Sequence, residues 1–342
     1  MNSIRFAFSR NVSKFILVLF VSFSMLALTG CNDKLGTLAD NIPDAENLLF
    51  TSDGRLFITA SEHVYEYTNA RGAELVLHTA NAEFLGMAQV GNYIYVIRST
   101  YRFKPAQTFN LAKLIEQGLA QYLFNTFSDL MMNKELLRAD LTQTSLNFLP
   151  VYTLKNMFLP NGMASDNAGN LYIADETFIS IGQIVKITIS GNNFSQETWL
   201  STSNGICSPN GMSIRDNTLY FTDFKMSTLK AMVKKVDIIN GRPGSVSTLY
   251  SQTGFFDDLE AGNYKGTDGI VVANFAKGSL LLLDKNGKLV SEILKGELDF
   301  PSSVAIGRGS MFTSNDLIIT EKGILMEKES NIGNKVSLLQ GN

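Results

Sequence analysis

Hydrophobic positions in this chain fall into short runs of roughly four to eight residues, each closed by Gly, Asn or Asp, which is the pattern of strands joined by tight hairpins. The segments NLLFTSDGRLFITASEHVYEYT, GMAQVGNYIYVIRS, GMASDNAGNLYIADETFISIGQIVKITI, GMSIRDNTLYFTDFKMSTLKAMVKKVDI, GIVVANFAKGSLLLLDKNGKLV and SVAIGRGSMFTSNDLIITEKGILME share one order: an alternating run, a polar turn, then a second run rich in Tyr, Ile and Val. Units recurring every forty to sixty residues or so are what radial arrays look like in sequence. Six of them predict an all-β, six-bladed β-propeller over residues 44–342, in which each blade buries both faces against its neighbours. An irregular β-sandwich would also satisfy the alternation. It gives no reason for Pro-Asn-Gly-Met to occur at both Pro160–Met163 and Pro209–Met212, with Asn161 and Asn210 49 residues apart.

Two places break the pattern. From Pro105 to Leu137, the residues Leu111, Leu114, Ile115, Leu119, Tyr122, Leu123, Phe127, Leu130 and Met131 recur at helical spacing, which predicts a helical insertion in blade two over about 104–138. The insertion would either cover the channel mouth or pack against the propeller's side. In the fifth unit, GIVVANF runs into GSLLLLD with little room for a hairpin, so that blade is expected to be short or distorted.

The N-terminus carries targeting information. Arg5, Arg10 and Lys14 precede the apolar run FILVLFVSFSMLAL, which ends at Leu28-Thr29-Gly30-Cys31. That ending resembles the lipobox of bacterial lipoproteins, which implies a signal peptide over 1–30, lipidation of Cys31 and a tether over 31–43. The expected location is the cell envelope, lipid-anchored to a bacterial membrane and facing the periplasm. A formal net charge of −3 leaves no electrostatic footprint for nucleic acid. Cys207 is the one other cysteine, so the fold is expected to hold together by apolar burial without an internal disulfide.

In a propeller the innermost strand of each blade runs along the channel, so the residue at its start faces the mouth. By the repeat's order, Glu46, Asn161, Asn210 and Asp268 take that place in blades one, three, four and five. Two carboxylates and two amides form an all-oxygen set suited to a hard divalent cation, Ca²⁺ first, with Mn²⁺ or Mg²⁺ as alternatives. Taken singly, each residue also reads as an ordinary turn or loop residue.

At these residues the chain resembles the senescence-marker-protein/gluconolactonase family, with paraoxonases and strictosidine-synthase-like proteins as wider relatives. The resemblance spans roughly Asp44 to Thr320 and is carried by the two PNGM…LY segments, TDGIVV and FPSSVAIG. It implies a six-bladed propeller with one divalent metal at the channel mouth, held at Glu46, Asn161, Asn210 and Asp268. It further implies ester or lactone hydrolysis with Asp268 as the proton acceptor, and with Asp175, Glu176 and Asp223 as weaker candidates that also read as strand-end hydrogen bonders. Sugar-lactone hydrolases of the family carry Arg two residues before the first metal Asn. Here that position is Leu159, which implies an apolar or acylated lactone or ester and makes Leu159 a substrate-pocket residue. His63 and His78, the two histidines, both lie in blade one and give no proton shuttle, and Cys207 reads as a small buried side chain near Asn210. Two alternatives stand beside the hydrolase: a non-catalytic propeller acting as a binding or assembly platform at the cell envelope, and a metal-free carboxylate chemistry of the strictosidine-synthase kind.

Overall fold

The computed structural model describes residues 33–101, 132–177, 181–323 and 332–341. The signal segment 1–30, Cys31 and the part of the expected insertion over 104–131 lie outside the described residues. Those described form six antiparallel sheets. The first strands of the sheets, Ala45–Phe50, Ala82–Val90, Leu159–Ser165, Pro209–Arg215, Leu259–Tyr264 and Pro301–Ile306, pack each against the next and the last against the first. That closed ring makes the fold a six-bladed propeller with these six strands lining the channel.

The hydrophobic pattern explains the closure. Second strands such as Leu56–Ala60, Leu171–Glu176 and Leu317–Glu321 are buried along their whole length, as expected of strands covered on both faces. The core consists of six hydrophobic clusters among the described residues, one in each gap between adjacent blades. Blades three and four, for example, share a cluster in which Tyr172 meets Trp199 edge to face, packed with Met212, Leu219 and Phe221. In blade six the chain ends meet, because Lys34–Ala39 pairs with Lys335–Gln340 as the outermost strand. Residues 34–39, expected to be tether, are therefore part of the fold: Leu35, Gly36 and Thr37 complete a ladder whose outer edge would otherwise be open.

Two further expectations are corrected. Met132–Asp140 is the third strand of blade two, paired with Tyr93–Tyr101, so residues 132–138 are strand and no α-helix occurs among the described residues. The helical spacing belongs to 105–131; from Met132 onward the alternation Lys134, Leu136, Leu137 and Ala139 is buried between blades. Blade five has four full strands. Its inner strand is Leu259–Tyr264, a polar stretch that the hydrophobic pattern passes over, and Thr267–Asn274 is the second. The short link between GIVVANF and GSLLLLD is a single 3₁₀ turn, Phe275–Lys277, closed by Gly278 at φ 59°.

Candidate active site at the channel mouth

The inner strands of blades one, two, three, four and six share an irregularity near their starts: the pairing register shifts between Ala45 and Leu48, Phe84 and Met87, Pro160 and Met163, Pro209 and Met212, and Pro301 and Ser303. Each shift is a bulge that takes residues out of the ladder. The bulge residues are Glu46, Leu85, Asn161, Asn210 and Ser302. In blade five Asp257 stands at the matching place, just ahead of Leu259–Tyr264.

The glycine of the repeated phrase follows from how bulges stack around the ring. A Cβ on Gly86 would lie 2.3 Å from the Asn161 carbonyl oxygen, one on Gly162 2.2 Å from that of Asn210, and one on Gly211 2.3 Å from the Asp258 Cα. Each bulge thus presses its backbone on the next blade's bulge, where no side chain fits. The amide freed by the bulge finds a hydroxyl: Thr222 accepts from the Gly211 N–H at 2.9 Å and donates to the Asp257 carbonyl at 2.6 Å. Thr320 likewise accepts from the Ser303 N–H and donates to the Glu46 carbonyl. These bonds satisfy groups that the ladder leaves unpaired and tie each blade to its neighbour.

Glu46, Asn161, Asn210 and Asp257 are all buried, none more than 7% exposed. Glu176, which follows Asp175 at the end of the second strand of blade three, joins them: the Asn161 Nδ2 donates to its Oε2 at 3.2 Å. The Asn210 Nδ2 donates to the Asp257 Oδ1 at 2.9 Å. From blade six the Lys322 ammonium forms an ion pair with the Glu46 carboxylate. The Asn161 Oδ1 and Glu176 Oε1 are buried and accept no hydrogen bond among the described residues.

Burial dominates the electrostatics. It raises the Glu176 carboxyl to about 7, with the Asn161 bond opposing and the Glu46 charge adding to the rise. It also raises Glu46 against the pull of Lys322, and lifts Asp257 well above the ordinary range with the Glu46 charge adding. Asp258 is raised to about 7 by burial, although Ser303 and the Leu259 N–H donate to it.

Asp268 is not in this group. It pairs across the ladder with Asn263, next to the hairpin at Lys265–Gly266, is exposed, and forms an ion pair with Arg215 at the far end of the inner strand of blade four. Asn263 lies six positions beyond Asp257, about 20 Å along the chain at 3.3 Å per residue. TDGIVV opens the second strand of its blade and not the inner one, which is why Asp268 lies away from the mouth. Asp257 could have been found from spacing, since it falls 47 residues after Asn210, close to the interval of 49 between the two asparagines.

The remaining candidates have structural work. Asp175 accepts from the Phe158 and Leu159 amides, and Asp223 accepts from those of Cys207 and Ser208 while pairing with Lys234 at 2.7 Å. Both carboxylates hold the loop that leads into an inner strand. Leu159 is half-buried against the cluster between blades two and three, which also contains Leu85. Cys207 is half-buried with a thiol pushed up by burial, and His63 and His78 stack on each other at 4.8 Å on blade one. Tyr101 and Met132, which flank the undescribed segment of blade two, pair with each other at the mouth end of their strands, and the Tyr101 hydroxyl donates to Glu83.

As for a metal, no three His, Cys, Asp or Glu side chains among the described residues stand close enough to hold an ion by themselves. The donor set here mixes acids with amides. Its two unpartnered buried acceptor oxygens are the kind of group that calls for a donor or cation, because leaving them bare costs roughly 1–3 kcal/mol each. The residues therefore fit a hard cation, with Asp257 in the place expected of Asp268.

No protein-family model matches the chain, and no curated protein matches it in sequence. In structure it is similar to a gluconolactonase of Xanthomonas campestris, at 13% identity and TM-score 0.60 over 91% of this chain and 90% of that one. It is similar to a calcium-binding regucalcin of Agrobacterium tumefaciens, at 13% identity and TM-score 0.57 over 89% and 93%. A virginiamycin B lyase of Staphylococcus aureus matches at 13% identity and TM-score 0.51 over 90% and 99%. These neighbours are six-bladed propellers of the gluconolactonase, regucalcin and virginiamycin B lyase types, and at such identities they establish the shared fold.

Proposed function

We propose that this chain is a hydrolase of a lactone or ester, with its site at the channel mouth. The observation that carries the reading is the burial of Glu46, Asn161, Glu176, Asn210 and Asp257 from four blades at one end of the channel, with two acceptor oxygens of the Asn161–Glu176 pair left unpartnered. Five buried acids and amides, two of which leave an acceptor bare, are costly for stability, and such cost is common where chemistry is done.

Glu46, Asn161, Asn210 and Asp257 would hold a divalent cation, Ca²⁺ first. When bound, such an ion polarises a carbonyl and stabilises developing negative charge on oxygen. Glu176 is the proton acceptor of choice: its free Oε1 is buried and its Oε2 is held by Asn161, so a water at Oε1 would be oriented by a fixed carboxylate. Asp268, some 20 Å along the blade, is given no part. Leu85 at the bulge position of blade two, with Leu159 beside the same cluster, supports an apolar or acylated substrate over a polyol.

The lipidated Cys31 and attachment to the periplasmic side of a bacterial membrane belong to the same proposal and rest on the lipobox. The tether would be short, since the closing strand starts at Lys34 and Asp33 is pinned to Lys265 at 2.5 Å. It would enter the propeller at the hairpin end of blade five, remote from the mouth.

The test is turnover by the detergent-solubilised full chain on aliphatic lactones, sugar lactones and aryl esters, with and without chelator. Turnover of aliphatic lactones or esters that Asp257→Ala abolishes supports the reading. No turnover on any of them by a folded protein would leave the binding platform as the better account. The Lys322–Glu46 ion pair is the observation that favours this second reading, because it supplies a cation to the acid cluster without any metal.

A further inference from the structure

Lys322 has no counterpart among the residues read from the sequence, and its place is specific. It follows Glu321 at the end of the second strand of blade six, as Glu176 follows Asp175 in blade three. Blade six offers no acid or amide at its bulge: Ser302 stands there, with its hydroxyl bonded to the Ala45 carbonyl and to Thr320. Instead the blade sends a lysine between the acids of its two neighbours. Its ammonium pairs with the Glu46 Oε2 of blade one and lies within electrostatic reach of Asp257 of blade five and of Glu83. Its backbone N–H is fixed on the Phe300 carbonyl at 3.1 Å, and its side chain is 21% exposed. Three buried acids at the mouth, Glu46, Glu176 and Asp257, thus face one lysine.

We infer that Lys322 is a built-in counter-cation that competes with a divalent metal for Glu46 and Asp257, so that a metal binds fully only as the lysine is displaced. This deepens the proposed site and rests on its donor set. Two physical effects oppose joint occupancy. The ammonium takes carboxylate lone pairs on Glu46 that a metal would use, and like charges sharing one low-dielectric pocket repel. Linkage makes the effect reciprocal: whatever the lysine takes from metal affinity, bound metal takes from the Lys322–Glu46 pair. Without metal, the lysine keeps two buried acids from facing each other uncompensated.

The test is Tb³⁺ and Ca²⁺ binding to the full chain by titration calorimetry, comparing wild type with Lys322→Met and Lys322→Arg. The expected result is affinity at least about tenfold tighter in Lys322→Met, equal to about 1.4 kcal/mol, and near wild type in Lys322→Arg, which keeps the charge. Lys322→Gln serves the same comparison should the Met variant fail to fold. Unchanged or weaker binding in the neutral variants, or no binding in any of them, overturns the inference. Turnover is scored apart from this: tighter metal binding with no hydrolysis would sink the hydrolase and leave the counter-cation standing, and hydrolysis with no metal binding by any variant would do the reverse.

Discussion

Replacing Gly162 by Ala puts the repeated phrase to a direct test. The added Cβ would sit 2.2 Å from the Asn210 carbonyl oxygen and 2.9 Å from the Gly211 Cα. An unforced C···O approach is about 3.3 Å, so blades three and four would have to part by roughly 1 Å at the point where their bulges stack. The obstacle is backbone on a closed ring, with no flexible side chain to swing aside. Overpacking of this kind costs typically 1–3 kcal/mol, and the rigid neighbour points to the upper end. At about 2–4 °C per kcal/mol for domains approaching this size, the midpoint of thermal unfolding should fall by roughly 5–10 °C. Gly36→Ala is the matched control: it lies in the closing strand with nothing within 4 Å of its added Cβ. It should be neutral or stabilising by up to about 1 kcal/mol. The assay is circular dichroism on heating. A Gly162→Ala protein melting within about 2 °C of wild type would refute the claim that interblade contact, and not turn geometry, is why the phrase carries glycine.

Three other predictions bear on the acids. Glu176 has an ordinary value of 4.5 and is raised to about 7 in the fold. Between these values the folded chain holds a proton that the unfolded chain has lost, so the group's contribution to stability falls as pH rises through that window and is level above it; the loss is about 3 kcal/mol. Chemical unfolding in chelator at pH 4.5 to 8 should therefore show a steeper fall for wild type than for Glu176→Gln, and equal slopes would count against a buried Glu176. Asp268→Ala removes a surface pair with Arg215, so stability should move by less than about 1 kcal/mol and turnover by less than about twofold. Asp257→Ala should lower turnover by about a hundredfold or more, the scale seen for lost electrostatic groups. Equal kinetic losses in the two variants would contradict the assignment.

The fold was legible because its signal is redundant. Hairpin turns such as Asp53-Gly54 and Asp216-Asn217, doubly buried strands such as Leu56–Ala60, and the two Pro-Asn-Gly-Met phrases each point to repeated four-stranded blades. Glu46, Asn161 and Asn210 could be placed from the same order, and the structure brings them to one end of the channel. Asp257 was hidden because Leu259–Tyr264 is a polar inner strand with neither Pro nor Gly beside Asp257, so the apolar run after Asp268 reads as the start of the blade. Lys322 was hidden for a different reason: a lysine one residue past a strand end has no pattern of its own, and only closure of the ring sets it beside Glu46, 276 positions away in sequence. The closing strand Lys34–Ala39 carries no strand signal of its own, because short polar segments near a terminus read as tether until a partner edge is known.

On the proposed reading, side chains from separate blades share one cation-binding, hydrolytic site at the mouth. Anomalous scattering from crystals of the chain grown with Mn²⁺ or Tb³⁺ tests it most directly. The predicted result is one strong peak ringed by Glu46, Asn161, Asn210 and Asp257, growing in occupancy in Lys322→Met. A peak beside Asp268 and Arg215, or none at the mouth in either protein, would contradict it.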